Sequence, residues 1–427
     1  MSSHDDLTFA TLDVHATEAP EAARVAAYGD AWSRGFHEGP LSEGQREKWL
    51  EHSREDDVVL RAAYPPAGLV AEPGPVGTFT SWVQEVNVGG EALLPLHMIT
   101  DVTVAPTHRR RGILSRLMTE DLTEAAAQGR PLAALTVSEG GIYGRFGFGV
   151  ATRRRFVEVD IRPGRFALRD TSDDGSLQLL DLPTSAPHVQ DVFARHLATT
   201  RGAVARPSFY RHIEEGYDWE ADGPDKKSRV VVHLDAGGRV DGYARFQHKQ
   251  EDGQGMGKGL VEVRALFALT DPAWRRLWRF LAEVDLTDTV RAAVAVDTPL
   301  PHAVTDPRVV RTTAVTDFLW LRVLDVPAAL EGRPWREDGS VVLEVADPMG
   351  LAAGRFRVTS ADGRSSVERV EEPAGVHLDV ETLGALYLGD STVGTHAAAG
   401  RVHGQDVATF AAMADHAGPA PWCSTGF

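Results

Sequence analysis

The sequence predicts an α/β chain in which two related strand–helix units are followed by a third, α+β segment. Three observations predict it. Residues 96–137 read as strand, loop, helix and strand, a βαβ unit. A hairpin, strand and helix recur between 230 and 281 as a degenerate internal repeat, and beyond about 317 the pattern changes to short strands and short helices. At roughly 100 to 200 residues per domain, a chain of 427 residues has room for all three.

Taken in order, the first 57 residues carry 13 acidic and 5 basic side chains. Val25, Tyr28, Trp32 and Phe36 recur at helical spacing, and Ser42 with Gln45 predicts a capping box for a second helix reaching Trp49 and Leu50. Residues 58–104 read as strands, with Asn87-Val88-Gly89-Gly90 as the hairpin turn. The strand Leu96 to Val104 is bounded by Pro106 and followed by Arg109-Arg110-Arg111-Gly112. Ile113, Leu114, Leu117, Met118, Leu122, Ala125 and Ala126 then repeat at helical period. Gly129 caps that helix, Pro131 follows, and Leu132 to Val137 is a buried strand, so the two strands pair in parallel or as a splayed, near-parallel pair. The repeat consists of Val230 to His233, a turn at Asp235 to Gly238, Gly242 to Phe246, the strand Val261 to Phe267, and a helix with Trp274, Leu277, Trp278 and Leu281. The last segment has strands at Phe318 to Val323, Val341 to Val345 and Phe356 to Thr359, with helices near Val380 to Leu388 and Asp406 to Ala414.

Composition narrows the function. A net charge of −17 repels phosphate backbones, which argues against nucleic acid and favours a cationic ligand, and 43% apolar residues argue against disorder. The single cysteine, Cys423, leaves no disulfide or thiolate cluster and is read as a small buried thiol. Sixteen histidines show no metal-ligand spacing, so no metal is assigned, and no GxSxG elbow points to a hydrolase. An acidic N-terminus and the lack of an 18-residue apolar run predict no signal peptide and no membrane span, hence a cytoplasmic protein.

The chemistry is concentrated at Arg109 to Ser115. A loop between a strand and a helix start offers free backbone N–H groups and the positive end of the helix dipole, and Gly112 lets an oxygen approach the backbone. This is a phosphate site. It is neither a triphosphate loop, since no Gly-Lys-Ser/Thr follows, nor a dinucleotide fingerprint, since GxGxxG is absent even from Gly140 to Gly149. It resembles the acetyl-CoA loop of the GNAT acetyltransferases, Gln/Arg-x-x-Gly-x-Gly/Ala, with Leu114 in place of the final small residue. Val102-Thr103-Val104-Ala105-Pro106-Thr107-His108-Arg109-Arg110-Arg111-Gly112, the segment Ser138 to Gly149, the repeated unit and an aromatic C-terminus together resemble the Eis (enhanced intracellular survival) acetyltransferases over essentially the whole chain.

That resemblance implies two tandem GNAT-like domains, 1–152 and 153–317, followed by a sterol-carrier-protein-like α+β domain, 318–427, in a homo-oligomer that is a hexamer. It implies acetyl-CoA as co-substrate, held by Val102, Thr103 and Val104, by Arg109, Arg110, Arg111, Gly112, Ile113, Leu114 and Ser115, and by Ser138 and Glu139. The equivalent loop of the central unit, Leu269 to Trp274, has no glycine and a proline without an N–H, so no coenzyme is expected there. Tyr143 coincides with the family's general acid, placed after a strand in a glycine-rich turn. The base would be the terminal carboxylate of Phe427. The segment Pro419 to Phe427 reads as docked, because prolines stiffen it and Trp422 and Phe427 are costly to leave in water. Trp32, Phe36 and Trp49, interleaved with the N-terminal acids, suit a cavity for polyamines; equally, those acids are the wet faces of two helices. The family acetylates aminoglycosides at more than one amine, and protein lysine is a second acceptor class. A non-enzymatic carrier of an apolar ligand, or an interaction protein, is the rival reading from another class.

Overall fold

The computed structural model describes residues 6–66, 74–250 and 259–427. Residues 1–5, on which the reading of an acidic, non-signal N-terminus largely rests, lie outside them. The first sheet has seven strands: β1 (Thr8–Leu12), β2 (Val59–Tyr64), β3 (Gly77–Gly89), β4 (Ala92–Val104), β5 (Leu132–Thr136), then Leu319–Val323, and β6 (Gly149–Val150) at the far edge. Only β4 and β5 run parallel, because helix α3 (Ile113–Ala127) crosses over between them. Their pairing starts at Leu96 opposite Leu132 and ends at Ile99 opposite Leu135. Beyond that point β4 continues to Val104 without β5, leaving an open fork in the sheet.

Two helices precede β2. In α1 (Glu21–Gly35) Val25 and Tyr28 are buried against the sheet. Helix α2 (Glu43–Glu55) begins with the expected box: Gln45 N donates to Ser42 Oγ at 3.0 Å, and Ser42 N donates to Gln45 Oε1 at 2.9 Å. The β3–β4 ladder runs to Gly89 opposite Ala92, so the chain reverses at Gly90 and Glu91 rather than across Asn87 to Gly90. Asn87 stays in the strand because its amide holds the turn, donating to Gly90 O at 3.0 Å and accepting from Gly89 N at 2.9 Å.

The central sheet repeats the plan, with a parallel pair between Gly259–Ala268 and Thr289–Val294 that spans only Leu260 to Glu262 and then splays. The helix Asp271–Ala282 covers it through Leu277, Trp278 and Leu281. Thr270 Oγ1 caps that helix by accepting from Ala273 N at 3.3 Å, so its first turn is closed by its own side chain. The third segment is a four-stranded sheet, with helices Val380–Tyr387, Val393–Ala398 and Val407–Ala414.

The strand Leu319–Val323, read from the sequence with the third segment, lies in the first sheet between β5 and β6. Its Arg322 is fully buried and donates to Asp347 of the third segment at 2.8 Å and to the carbonyl of Phe146. One continuous core therefore joins the first and third segments, from Leu60 and Met98 through Leu321 to Leu343 and Phe356. The glycines of the 140–149 stretch serve this junction: a Cβ on Gly149 would sit 2.0 Å from Glu381 O, and one on Gly384 would sit 2.2 Å from Leu321 O. Gly149→Ala and Gly384→Ala should each lower stability by at least about 2 kcal/mol in urea unfolding, since a backbone clash in a packed core cannot relax cheaply. Gly39→Ala, where a Cβ meets nothing within 4 Å, should change it by no more than about 0.5 kcal/mol.

Candidate active site

The open fork between β4 and β5 brings most of the expected site residues to one region. A bulge at Asp101, with φ +51°, shifts the β3–β4 register between Thr78 and Thr80 and turns the end of β4 away from β5. Beyond it Val102 and Val104 pack on the α3 side, and Thr103 Oγ1 meets Thr78 Oγ1 at 2.7 Å. Their main-chain groups on the β5 side have no ladder partner among the described residues, which leaves donors and acceptors for an extended ligand arm.

The loop that follows is built for an anion. Arg110 and Gly112 both take the left-handed conformation, φ +62° and +73°, and no side chain caps α3 among the described residues. Consecutive amides, Ile113, Leu114 and Ser115 included, are therefore left to a ligand at a helix N-terminus. Ile113 fills the core with its side chain, while Arg109 and Arg110 are exposed. Arg111 is partly neutralised by an ion pair with Asp6, so two of the three arginines face outward without an acid among the described residues. Ser138 and Glu139 are exposed on the segment that leaves β5.

Tyr143 sits seven residues beyond the end of β5, its ring edge-on to Phe148 at 6.4 Å and half-buried. Burial, with help from the Glu139 carboxylate, pushes its phenol above the usual 10. It stays protonated at neutral pH, as a proton donor must.

The C-terminus is docked along its length. Trp422 N donates to Arg201 O at 2.9 Å, Thr425 Oγ1 to Val204 O at 2.7 Å, and Gly426 N to Tyr210 Oη at 2.8 Å. Cys423 is buried, its thiol pushed up to about 12 by burial, so it is an inert filler. Phe427 lies at the fork: the hydroxyl of Thr136, the last residue of β5, donates to its main-chain oxygen, and its ring stands edge-on to Trp82 at 5.8 Å.

Phe427 opens into a cavity of about 970 Å³ between α1, α2, the fork and residues 207–220 of the central unit. Trp32 and Trp49 line it; Phe36 does not, being exposed at the end of α1 with its edge toward Trp32. The lining carries Glu38, Asp56, Asp101 and Glu220 beside Phe427, and neither lysine nor arginine among the described residues. His52 adds no charge, because burial and the neighbouring His212 push it down to about 3.

Sequence reasoning missed Asp101, Trp82, Trp219 and Thr136. Asp101 carried the one available signal, the lone acid in the strand Leu96 to Val104, just before Val102. Its carboxylate accepts from Thr80 Oγ1 at 3.0 Å, and Thr80 Oγ1 lies 2.8 Å from the buried Tyr28 hydroxyl. Desolvation outweighs the Thr80 hydrogen bond and pushes Asp101 up to about 6. A separate buried network, in which Asp121 receives Ser81 Oγ at 2.6 Å, Arg61 Nε at 3.1 Å and His97 Nε2 at 2.6 Å, ties α3 to the sheet.

Residues 21–151 and residues 202–323 each match the family described as an acetyltransferase (GNAT) domain, and residues 326–424 match the sterol carrier protein domain. The chain is 36% identical over 409 residues to an uncharacterized N-acetyltransferase of Streptomyces avermitilis, covering 91% of this chain and 98% of that one. It is 36% identical over 356 residues to the N-acetyltransferase Eis of Mycobacterium tuberculosis, covering 82% and 83%. The crystal structure of Eis1 from Mycobacterium abscessus superposes with a TM-score of 0.80 at 30% identity, covering 99% of this chain and all of the other.

The raised Asp101 has a stability signature. With the folded value above the unfolded one, the ionised form is disfavoured by folding. The cost is absent below pH 4, grows between pH 4 and 6, and is complete above 6. Asp101→Asn should therefore be more stable than the parent at pH 8 by on the order of 2 kcal/mol, discounted for water in the cavity, and equal to it below pH 4. Thermal unfolding across that range checks it.

Proposed function

We propose that this chain, which belongs to the Eis family of GNAT N-acetyltransferases and is itself an N-acetyltransferase, moves acetyl from acetyl-CoA to a primary amine of a polycationic, polyhydroxylated small molecule resembling an aminoglycoside. GNAT acetyltransferases use acetyl-CoA, which supplies the acetyl group as a thioester. The free main chain of Val102 to Val104 suits its pantetheine arm, the amides of Arg109 to Ser115 its pyrophosphate, and Ser138 and Glu139 its outer part.

The reaction forms a nitrogen–carbon bond, breaks a carbon–sulfur bond, removes one proton from nitrogen and delivers one to sulfur. Tyr143 serves as the donor to sulfur. An alkylamine near pKa 10 arrives almost wholly protonated, so the acceptor side must hold a cation and drain a proton. We assign both tasks to the Phe427 carboxylate with Asp101, whose raised affinity for protons fits a base working near neutrality. The observation that most supports this reading is Phe427, hydrogen-bonded through its main-chain oxygen to Thr136 at the fork, sharing one acid-lined cavity with Asp101.

The same cavity supports a hydroxylated acceptor. The indole N–H groups of Trp32 and Trp82 are buried there with no hydrogen-bond partner among the described residues. A side-chain rotation that opened either N–H to the cavity would ask for an acceptor oxygen, which sugar hydroxyls and ethers supply and a bare polyamine does not.

Incubation with acetyl-CoA and a panel of an aminoglycoside, a linear polyamine and a lysine peptide, followed by free-thiol release, tests the reading. Release should depend on amine and be fastest with the aminoglycoside; no release with any of the three would leave the carrier reading in its place. Tyr143→Phe should lower kcat by about 100-fold or more while acetyl-CoA KM stays within about threefold. As pH falls through about 6, kcat should drop with the protonation of Asp101, and that limb should vanish in Asp101→Asn.

A further inference from the structure

The central unit keeps a cleft at the corresponding place in its own sheet. Where Gly259–Ala268 runs on past its three-residue parallel pairing, Val263 to Phe267 wall a cavity of about 450 Å³. Its charge is inverted. The first cleft has only acids, whereas six basic residues line this one against four acidic ones. Arg206 is taken by Glu214, and Arg245 by Asp225 at 2.8 Å; Arg264 turns to Glu262 at 3.1 Å.

Arg154 is different. It has no acid among the described residues; its Nε reaches only Cys423 O at 3.4 Å, and its guanidinium lies over the Phe318 ring at 3.0 Å. Neither Nη makes a hydrogen bond among the described residues, although the side chain is largely buried and burial pulls its pKa below the usual 12.5. An uncompensated guanidinium largely out of bulk water is costly, and a planar oxyanion taking two of its N–H groups would relieve that cost. Leu182, Val189, Tyr210, Phe267 and Trp422 give the cleft an apolar and aromatic part of its wall, beside polar residues such as Asp218, Glu220 and Lys227.

We propose that this central cleft binds a small organic monoanion, a carboxylate on an aromatic or branched apolar body, with Arg154 as its anchor. Arg154 is the largely buried cation of the lining without an acid among the described residues, whereas Lys227 is exposed, and the volume falls within the range of small-molecule sites. The site stands independently of the transfer reaction proposed above.

Calorimetry on the full chain, without acetyl-CoA or amine, tests it with benzoate, isovalerate and inorganic phosphate as probes. One benzoate or isovalerate should bind per chain, at least tenfold more weakly in Arg154→Gln and with intermediate strength in Arg154→Lys. Ala265→Phe, which fills the cavity and leaves Arg154 in place, should also abolish binding, so the test survives if Arg154→Gln does not fold. No carboxylate binding at millimolar concentration, binding of phosphate alone, or binding unchanged by both Arg154→Gln and Ala265→Phe would overturn the proposal. Because no thiol release is measured, its failure and that of the acetyltransfer reading are separate results.

Discussion

The hydrogen bond from the Thr136 hydroxyl to the main-chain oxygen of Phe427 closes a loop of 291 residues, and the positions of the other site groups follow from how the fold allows it. β5 must stop pairing with β4 at Leu135, so that Thr136, still paired with Leu319 on its other side, borders the fork. The tail must then cross from the third segment past the central unit. It does so along Arg201 to Val204, a segment that itself pairs with the end of β3 through Asn87 N to Ala203 O and Ala205 N to Glu85 O, at 2.9 and 2.8 Å. Three segments thus meet within one short stretch of main chain. A terminus normally frays; this one is held by successive hydrogen bonds and by the burial of Cys423 and Thr425.

Charge marks the cavity that this stretch of chain closes. A cavity with acids and no bases in its lining would repel an anion and hold a cation, and it does so inside a chain whose overall charge is already −17. Within that field Asp101 is the acid whose desolvation is least compensated, so its proton affinity rises toward neutrality instead of falling. The relay from Tyr28 through Thr80 ends on the same oxygen pair. The central unit, built on the same splayed sheet, was free to diverge, and its cleft carries the opposite sign.

Local chemistry was legible in the chain. The Ser42–Gln45 box, the stop at Gly129 and the strand–loop–helix around Arg109 to Gly112 are each decided within a few residues. The fork was legible too, as a splayed pair around one crossover helix. Long-range placement was not. Nothing near Leu319 to Val323 says that the strand belongs to the first sheet, because its position is set by Arg322 reaching Asp347 and Phe146 and by Gly384 admitting Leu321. Thr136 is an ordinary strand end until residue 427 arrives, and Trp82 and Trp219 become cavity walls only when two units face each other. Phe36 shows the converse: helical spacing put it beside Trp32 and Trp49, yet the end of α1 leaves it outside the cavity.

Semisynthesis of the chain with its terminal carboxylate replaced by a carboxamide tests the central claim most directly, since it changes one group and keeps every ring and turn. The account predicts unchanged unfolding and unchanged acetyl-CoA binding, with kcat for the amine lowered by about 100-fold or more. An amidated chain that turns over at the parent rate would contradict it.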